Sequence, residues 1–440
     1  MSNSLFSAFE KVSSKAWKQK IQVDLKGADY NDSLIWKTNQ GIDVRPFYHQ
    51  DEMGETFKIQ PQQWAIGQII FVQNEKASNT KALDAIERGA ETLKFIIPNK
   101  AVSIEKTLEN IDLSTTTIQL ELLFSDQDYL NNLAKISAKA LLIFDPIGFL
   151  AQTGNWFETS NTSLIINNQI TVNTTAYQNA GATIMQQLAY GLSHLNDYFS
   201  APDFANATVK TVNFNVAVST NYFFEIAKLR ALRVLYSTLA AEYNCDAKLL
   251  IHAIPTKRNK TIYDFNTNML RTTTECMSAI LGGANTVYNL PYDAIYHKDN
   301  EFGERIARNQ LLILKNESYF DVVNNAADGS YYIETLTSQL AEKALTLFKE
   351  IEANGGFIAQ LKEGTIQKKI KESATKEQEQ FDDGTITLLG TNKHPNKNDK
   401  MKHDLELFPF LKINPRKTLI QPIIERRLAE TLEQNRLKTE

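Results

Sequence analysis

The strongest constraint in this sequence is a regular alternation. Between Ile69 and about Leu314, short β-rich apolar runs take turns with longer segments of helical periodicity, as in repeated βα units feeding one parallel sheet. Eight runs read as strands: IIFVQ from Ile69, LKFIIP from Leu93, IQLELLF from Ile118, LLIFD from Leu141, ITVNTT from Ile170, VNFNVAV from Val212, LLIHAI from Leu249 and TVYNL from Thr286. Helical spacing falls between them over 80–90, 103–110, 126–138, 182–198, 221–243, 263–281 and 302–315. Gly282-Gly283 stands where a helix C-terminus favours a left-handed glycine. Eight such units over roughly 250 residues fit an α/β fold of the (β/α)8 TIM-barrel type. A doubly wound sheet is the alternative, but its first turn is usually glycine-rich, and here the first strand runs into QNEKASN.

The flanks divide the chain into three parts. Residues 1–60 form an N-terminal arm with an amphipathic signal at Phe6, Phe9 and Val12, followed by the extended LIWKTNQGIDVRPFY, whose Trp36, Val44 and Phe47 call for a packing partner. Residues 61–355 carry the barrel and end in a helix at 335–353. Residues 356–440 read as a C-terminal helical linker or arm. It comprises the charged helix EGTIQKKIKESATKEQEQ, with Ile366 and Ile370 as its apolar contacts, a strand-like TITLLG, a polar loop, and a Leu419 to Leu437 segment with Pro422 near its helix start.

Charge and cysteine content remove several functions. With 47 basic and 51 acidic side chains the net charge is −4, so no global positive field attracts nucleic acid or anionic lipid. Cys245 and Cys276 form no CxxC or Cys/His cluster, so neither a metal site nor a disulfide framework is expected. No signal-peptide core and no apolar run near the ~20 residues of a membrane span are visible, and a cytoplasmic location is expected.

No self-sufficient catalytic motif is present: no GxGxxG, P-loop, HExxH, GxSxG or EF-hand loop. Barrel enzymes place their chemistry where strands end, which draws attention to Asp145, His252 and Asn289, and to Lys257 and Arg258 just beyond His252. Each has a plain structural reading beside the functional one. His252 fits a hydrogen-bonded rim histidine as well as a ligand-facing one, Asp145 before Pro146 fits a cap, and Lys257-Arg258 fits a solvated loop. Lys228, Arg230 and Arg233 share a helix with an apolar stripe, which favours structural ion pairing. Asp382-Asp383 before Gly384 reads as a turn. Successive bulky residues in IIFVQ, KFIIP and LLIFD suggest a barrel interior filled by side chains, with only ITVNTT offering small hydroxyls.

Several long stretches together carry a resemblance: FFEIAKLRALRVLY, NMLRTTTECMSAILGGANTVYNLPYDAIY, the run from ERIARNQLLILKNESYF to LTLFKEIEANGG, and IWKTNQGIDVRPFY. They resemble the methylmalonyl-CoA mutase family, and its small subunits in particular. The resemblance implies a barrel that encloses an acyl-CoA and, in catalytic members, a C-terminal cobalamin domain. It implies conversion of methylmalonyl-CoA to succinyl-CoA, with adenosylcobalamin supplying a radical.

The departures sharpen what the resemblance implies. Where the catalytic chains have G-Y-H-x-Q-E-A-G-A-T, this chain reads TTAYQNAGAT, so the tyrosine and histidine positions hold Thr175 and Ala176. A methyl group cannot donate to a thioester carbonyl. Where they have W-T-I-R-Q-Y, this chain reads WAIGQII, with Gly67 and Ile69 in place of arginine and tyrosine. Where they have H-T-Q-T, HAIPT keeps His252 but puts Ile254 in the glutamine position. The D-x-H-x-x-G motif that ligates cobalamin is not found, and no cobalamin-binding domain is expected in 356–440. The implied role is a non-catalytic small subunit in a heterodimer with a large subunit that binds adenosylcobalamin, with intersubunit packing through the two arms. The alternative is a stand-alone acyl-CoA-binding or acyl-CoA-processing barrel using His252, Lys257 and Arg258, with Asn289 as a further ligand-facing candidate.

Overall fold

Eight parallel strands form the centre of the molecule: β1 (Ala65–Phe71), β2 (Thr92–Ile97), β3 (Thr117–Leu122), β4 (Leu141–Ile143), β5 (Gln169–Asn173), β6 (Thr211–Val218), β7 (Lys248–Pro255) and β8 (Thr286–Tyr288). The computed structural model describes residues 7–54, 56–57, 63–136, 140–158, 165–323, 325–412 and 415–440. Phe6 and positions 137–138 of the sequence-derived helices therefore lie outside the described residues. The hydrogen-bonded order is β4-β3-β2-β1-β8-β7-β6-β5, a sheet wrapped almost fully into a barrel. All eight strand runs read from the sequence take part.

Between β4 and β5 the ladder gives way to side chains. The Gln169 amide accepts from the Leu142 N–H at 3.0 Å and donates to the Ala140 carbonyl at 3.4 Å, as a peptide group of a neighbouring strand would. Further along, Asp145 accepts the Asn173 N–H at 2.7 Å. Buried backbone polar groups need partners, and at this seam Gln169 and Asp145 supply them.

The sheet's outer face is apolar. Leu93, Phe95, Ile97, Ile118, Leu120 and Leu122 pack with Ala82, Ala85, Leu130 and Leu133 of the surrounding helices. Val212, Phe214, Val216, Leu249 and Ile251 do the same on the other side of the barrel. Strand side chains alternate with period two, so the intervening residues turn to the axis. There side chains fill the interior, as expected, and many of them are polar. Lys94, Gln119, Glu121, Thr171, Asn213, Asn215 and His252 are all buried or nearly so on the inner register.

The three cations of the helix Tyr222–Glu242 are structural. Lys228 pairs with Glu225 and donates to the Ala217 carbonyl at 2.6 Å. Arg230 joins Glu334 at 2.7 Å and also Asp328. Arg233 reaches the Gly283 carbonyl at 2.5 Å and Asn285 at 2.9 Å. Gly283 has φ +87° just beyond the helix Thr267–Leu281, as its position required.

The flanks depart from the sequence reading in three places. The first helix is Ser14–Asp24, started by Ser13, whose side chain accepts the Ala16 N–H. Phe9 and Val12 precede this cap and lie exposed, while Trp17 stacks on Phe47 with centroids 4.4 Å apart. TITLLG forms no strand. The Asn392 side chain bonds Leu388, Phe381 and Ile386 and folds the segment into a turn. Helix near the C-terminus spans Glu430–Thr439. Pro422 lies in an extended stretch, because Leu419, Ile420 and Ile423 spend their N–H groups on Gly154 and Ala151 instead of on a helical ladder. Asp383 accepts the Thr385 N–H at 2.8 Å, a turn contact.

Candidate functional site at the barrel axis and mouth

The axis is occupied along its length. Gln119 on β3 donates to His252 Nδ1 on β7 at 3.1 Å, and His252 Nε2 donates to Asn213 Oδ1 on β6 at 3.3 Å. β3 and β7 stand four places apart in the eight-strand order, so the first of these bonds crosses the barrel. Lys94 pairs with Glu121 at 2.5 Å and lies 5.9 Å from the centroid of the Tyr288 ring. That ring occupies the space beside Gly67, where a methyl group would overlap it.

Burial, with Lys94 adding to it, pushes the His252 imidazole down to about 3. It is therefore neutral at physiological pH. Its Nδ1 lone pair already accepts from Gln119, so no free lone pair is left to take a proton from a substrate. The Tyr288 hydroxyl, the Gln119 Oε1 and both ends of the Asn215 amide are buried without a partner among the described residues, and burial raises the Tyr288 phenol.

At the C-terminal ends of the strands, the helix Thr365–Asp382 lies over the loops that follow β5 and β7. Its Ser373 donates to the Gly181 carbonyl at 2.9 Å, and its Glu377 accepts from Arg258 Nε at 2.6 Å. Ile366 and Ile370 turn inward and join the main core, as their spacing suggested. From the other side the hairpin pairing Trp36–Lys37 with Asp43–Val44 closes in, Gln40 accepting the Ile184 N–H at 2.7 Å. Between these pieces remains a cavity of about 340 Å³, bordered by Gln178, Gln187, Arg258, Glu377 and Gln380.

The residues singled out from the sequence are dispersed. His252 is inside the barrel. Arg258 is buried, with Nη1 on the Arg426 carbonyl at 2.8 Å in addition to Glu377. Lys257 is exposed beside it, its N–H bound by Asn179 Oδ1 at 3.0 Å. Asn289 faces the helix Glu301–Leu312, donating to Ala307 and Gln310 at 3.0 and 2.8 Å. Thr175 is half-buried on Asn173, Ala176 is buried, and Ile69 and Ile254 are half-buried on the axial register with Gly67.

Asp145 caps the helix Pro146–Thr153 through Gly148, as its Asp-Pro context suggested. It also accepts from His194 at 3.0 Å and Tyr198 at 2.6 Å, and Tyr177 bonds the other His194 nitrogen at 3.0 Å. This cluster is enclosed beneath Phe357, which stacks on His194. The axial site has one signal in the sequence, an amide or charge at alternate places within an apolar strand (Lys94, Gln119 and Glu121, Asn213 and Asn215). Glu377 as the partner of Arg258 had no signal in the sequence.

The comparisons with known proteins agree with this architecture. The methylmalonyl-CoA mutase family profile matches residues 124–430. The chain is 32% identical over 442 residues to the methylmalonyl-CoA mutase small subunit of Porphyromonas gingivalis, covering 89% of this chain and 71% of that one. It is 27% identical to the methylmalonyl-CoA mutase of Rhizobium meliloti, covering 88% and 64%, and 27% identical to the small subunit of Propionibacterium freudenreichii subsp. shermanii, covering 80% and 64%. The chain thus spans about two thirds of the length of these relatives. By profile and by identity along nearly its whole length, the chain belongs to the methylmalonyl-CoA mutase family.

Proposed function

We propose that this chain is the non-catalytic small subunit of a heterodimeric methylmalonyl-CoA mutase and stabilises a large subunit that performs the isomerisation. The observation that carries this reading is the Gln119–His252 bond across the axis. A barrel that encloses a thioester needs an open axis and a group able to polarise its carbonyl. Here the axis is crossed by a hydrogen bond, Tyr288 lies against Gly67, and Ala176 stands at the family's histidine position.

Adenosylcobalamin is assigned to the large subunit. The described mouth does not fit a corrin ring: the helix Thr365–Asp382 lies over the loops after β5 and β7, and the cavity beneath it measures about 340 Å³. Among the described histidines, His194 and His252 are buried in hydrogen-bonded clusters away from that cavity. The stand-alone reading needs His252, Lys257 and Arg258 at one place, whereas one is in the axis, one in solvent and one bound to Glu377.

The N-terminal arm supports the partner assignment, since Phe9, Val12 and Val23 expose apolar surface there. The test is co-expression with a large subunit, size-exclusion chromatography, and mutase assays of each component alone and combined. A one-to-one complex, with activity in the complex and none in this chain alone, is expected. Isomerisation by this chain given adenosylcobalamin and thioester overturns the reading.

A further inference from the structure

A second concavity, away from the axis, has the chemistry of a binding site. It is a groove of about 390 Å³ between the loop after β7, residues 408–412 and Arg426. Five cations border it: Arg258 and Arg427 are buried and paired with Glu377 and Glu433, while Lys257, Lys412 and Arg426 face outward. Lys257 and Lys412 are exposed, and neither ammonium has a carboxylate partner among the described residues. Arg426 keeps most of its guanidinium outward, bonding Thr431 at 3.0 Å, with Glu430 3.8 Å from its Nε. Of the two acids on the lining, Glu430 is buried and already accepts from the Arg427 and Leu411 N–H groups, which leaves Glu425 as the only exposed one on that lining. The groove is therefore net positive.

Its walls are fixed. The buried Asn179 accepts the Lys257 N–H on its side chain at 3.0 Å and the Arg426 N–H on its backbone carbonyl at 3.1 Å, so one residue sets the separation of two cations. Opposite, the Arg427 guanidinium holds the Pro409 carbonyl at 3.0 Å. Phe408 meets Phe410 edge-on at 5.5 Å and remains 59% exposed, and Pro409 and Leu411 extend this apolar side of the groove. An exposed aromatic face beside outward-facing cations, in a pocket of small-molecule size, suits a ligand with a flat π-system at one end and phosphate at the other.

We propose that this groove binds a nucleoside phosphate, with the base on Phe408 and the phosphates on Lys257, Lys412 and Arg426. This site is independent of the subunit role above. The test is calorimetric titration of the full chain with adenosine diphosphate, adenosine and inorganic phosphate, with thermal melts to show that each variant is folded. Adenosine diphosphate is expected to bind more tightly than either fragment. Lys257→Ala with Lys412→Ala is expected to weaken it by about tenfold or more, since each lost charged contact is a substantial share of a small ligand's affinity. Phe408→Ala is expected to weaken the diphosphate severalfold while leaving inorganic phosphate unchanged. Absence of diphosphate binding, equal affinity in the double variant, or phosphate binding as tightly as the diphosphate overturns the proposal.

Discussion

Gln119 and His252 are 133 residues apart in the chain and 3.1 Å apart in the barrel, and the bond between them closes the axis. The imidazole accepts from one amide and donates to a second, which defines it as neutral and explains why burial holds its protonation down to about 3.

A pH effect on stability follows from that displacement. Unfolded, the imidazole titrates near its ordinary 6.5; folded, it resists protonation until about 3. The unfolded chain therefore binds the extra proton as pH falls through this window, and the native state loses stability at about 1.4 kcal/mol per pH unit from this group. Above 6.5 the group contributes no pH dependence. In chemical unfolding between pH 6.5 and 4, His252→Gln is expected to lose less stability than the parent, so that the parent's unfolding free energy falls relative to the variant's with each unit.

Gly67 and Tyr288 form a second axial pair. Gly67→Ala places a methyl group into the Tyr288 ring, and overpacking of this kind costs about 1–3 kcal/mol. The melting temperature is expected to fall in Gly67→Ala. It is expected to fall less when the same substitution is made in a Tyr288→Leu background, a non-additivity that a double-mutant cycle measures.

At the Ala140–Leu142 end of the seam between β4 and β5, Gln169 stands in for the ladder. Gln169→Ala leaves the Leu142 N–H without its acceptor, and an unsatisfied buried amide costs about 1–3 kcal/mol. Hydrogen exchange at Leu142 is expected to accelerate in this variant. Gln169→Glu, which keeps an acceptor oxygen, is expected to preserve more of the protection there.

The helix over the mouth is held by a charge pair. Glu377→Gln leaves the buried Arg258 without its counter-charge. Glu377 is partly exposed, so the expected loss is about 1–3 kcal/mol, below the range for a fully buried pair. Faster exchange across Thr365–Asp382, with protection of β1–β3 unchanged, is the expected signature.

The subunit assignment adds an energetic expectation. If the exposed apolar groups of the N-terminal arm are buried against a partner, Phe9→Asp with Val23→Asp is expected to weaken complex formation in size-exclusion chromatography by tenfold or more, at about 1.4 kcal/mol per decade. The melting temperature of the free chain is expected to stay the same, since both side chains are exposed in it.

The sequence by itself determined the eight βα units and most of their helices, because strand and helix periodicities are local: residues two, three or four apart already report which faces are buried. It also placed the Asp145 cap, the Gly283 C-terminus and the structural ion pairs of Lys228 and Arg230, which depend on neighbours along the chain or on one adjacent segment, whereas Arg233, expected to pair likewise, bonds a carbonyl and an amide instead. Only the tertiary structure decided what occupies the axis. A parallel barrel strand is buried on both faces, so KFII and LLIF do not reveal which side chains turn inward. The alternate polar residues Lys94, Gln119, Asn213 and His252 acquire their meaning only when β2, β3, β6 and β7 are brought around one axis. The same holds at the mouth. Arg258 and Glu377 are 119 residues apart, and a polar, charged helix shows no sign in its own sequence of the surface it will cover, because a few buried isoleucines and one ion pair suffice to seat it.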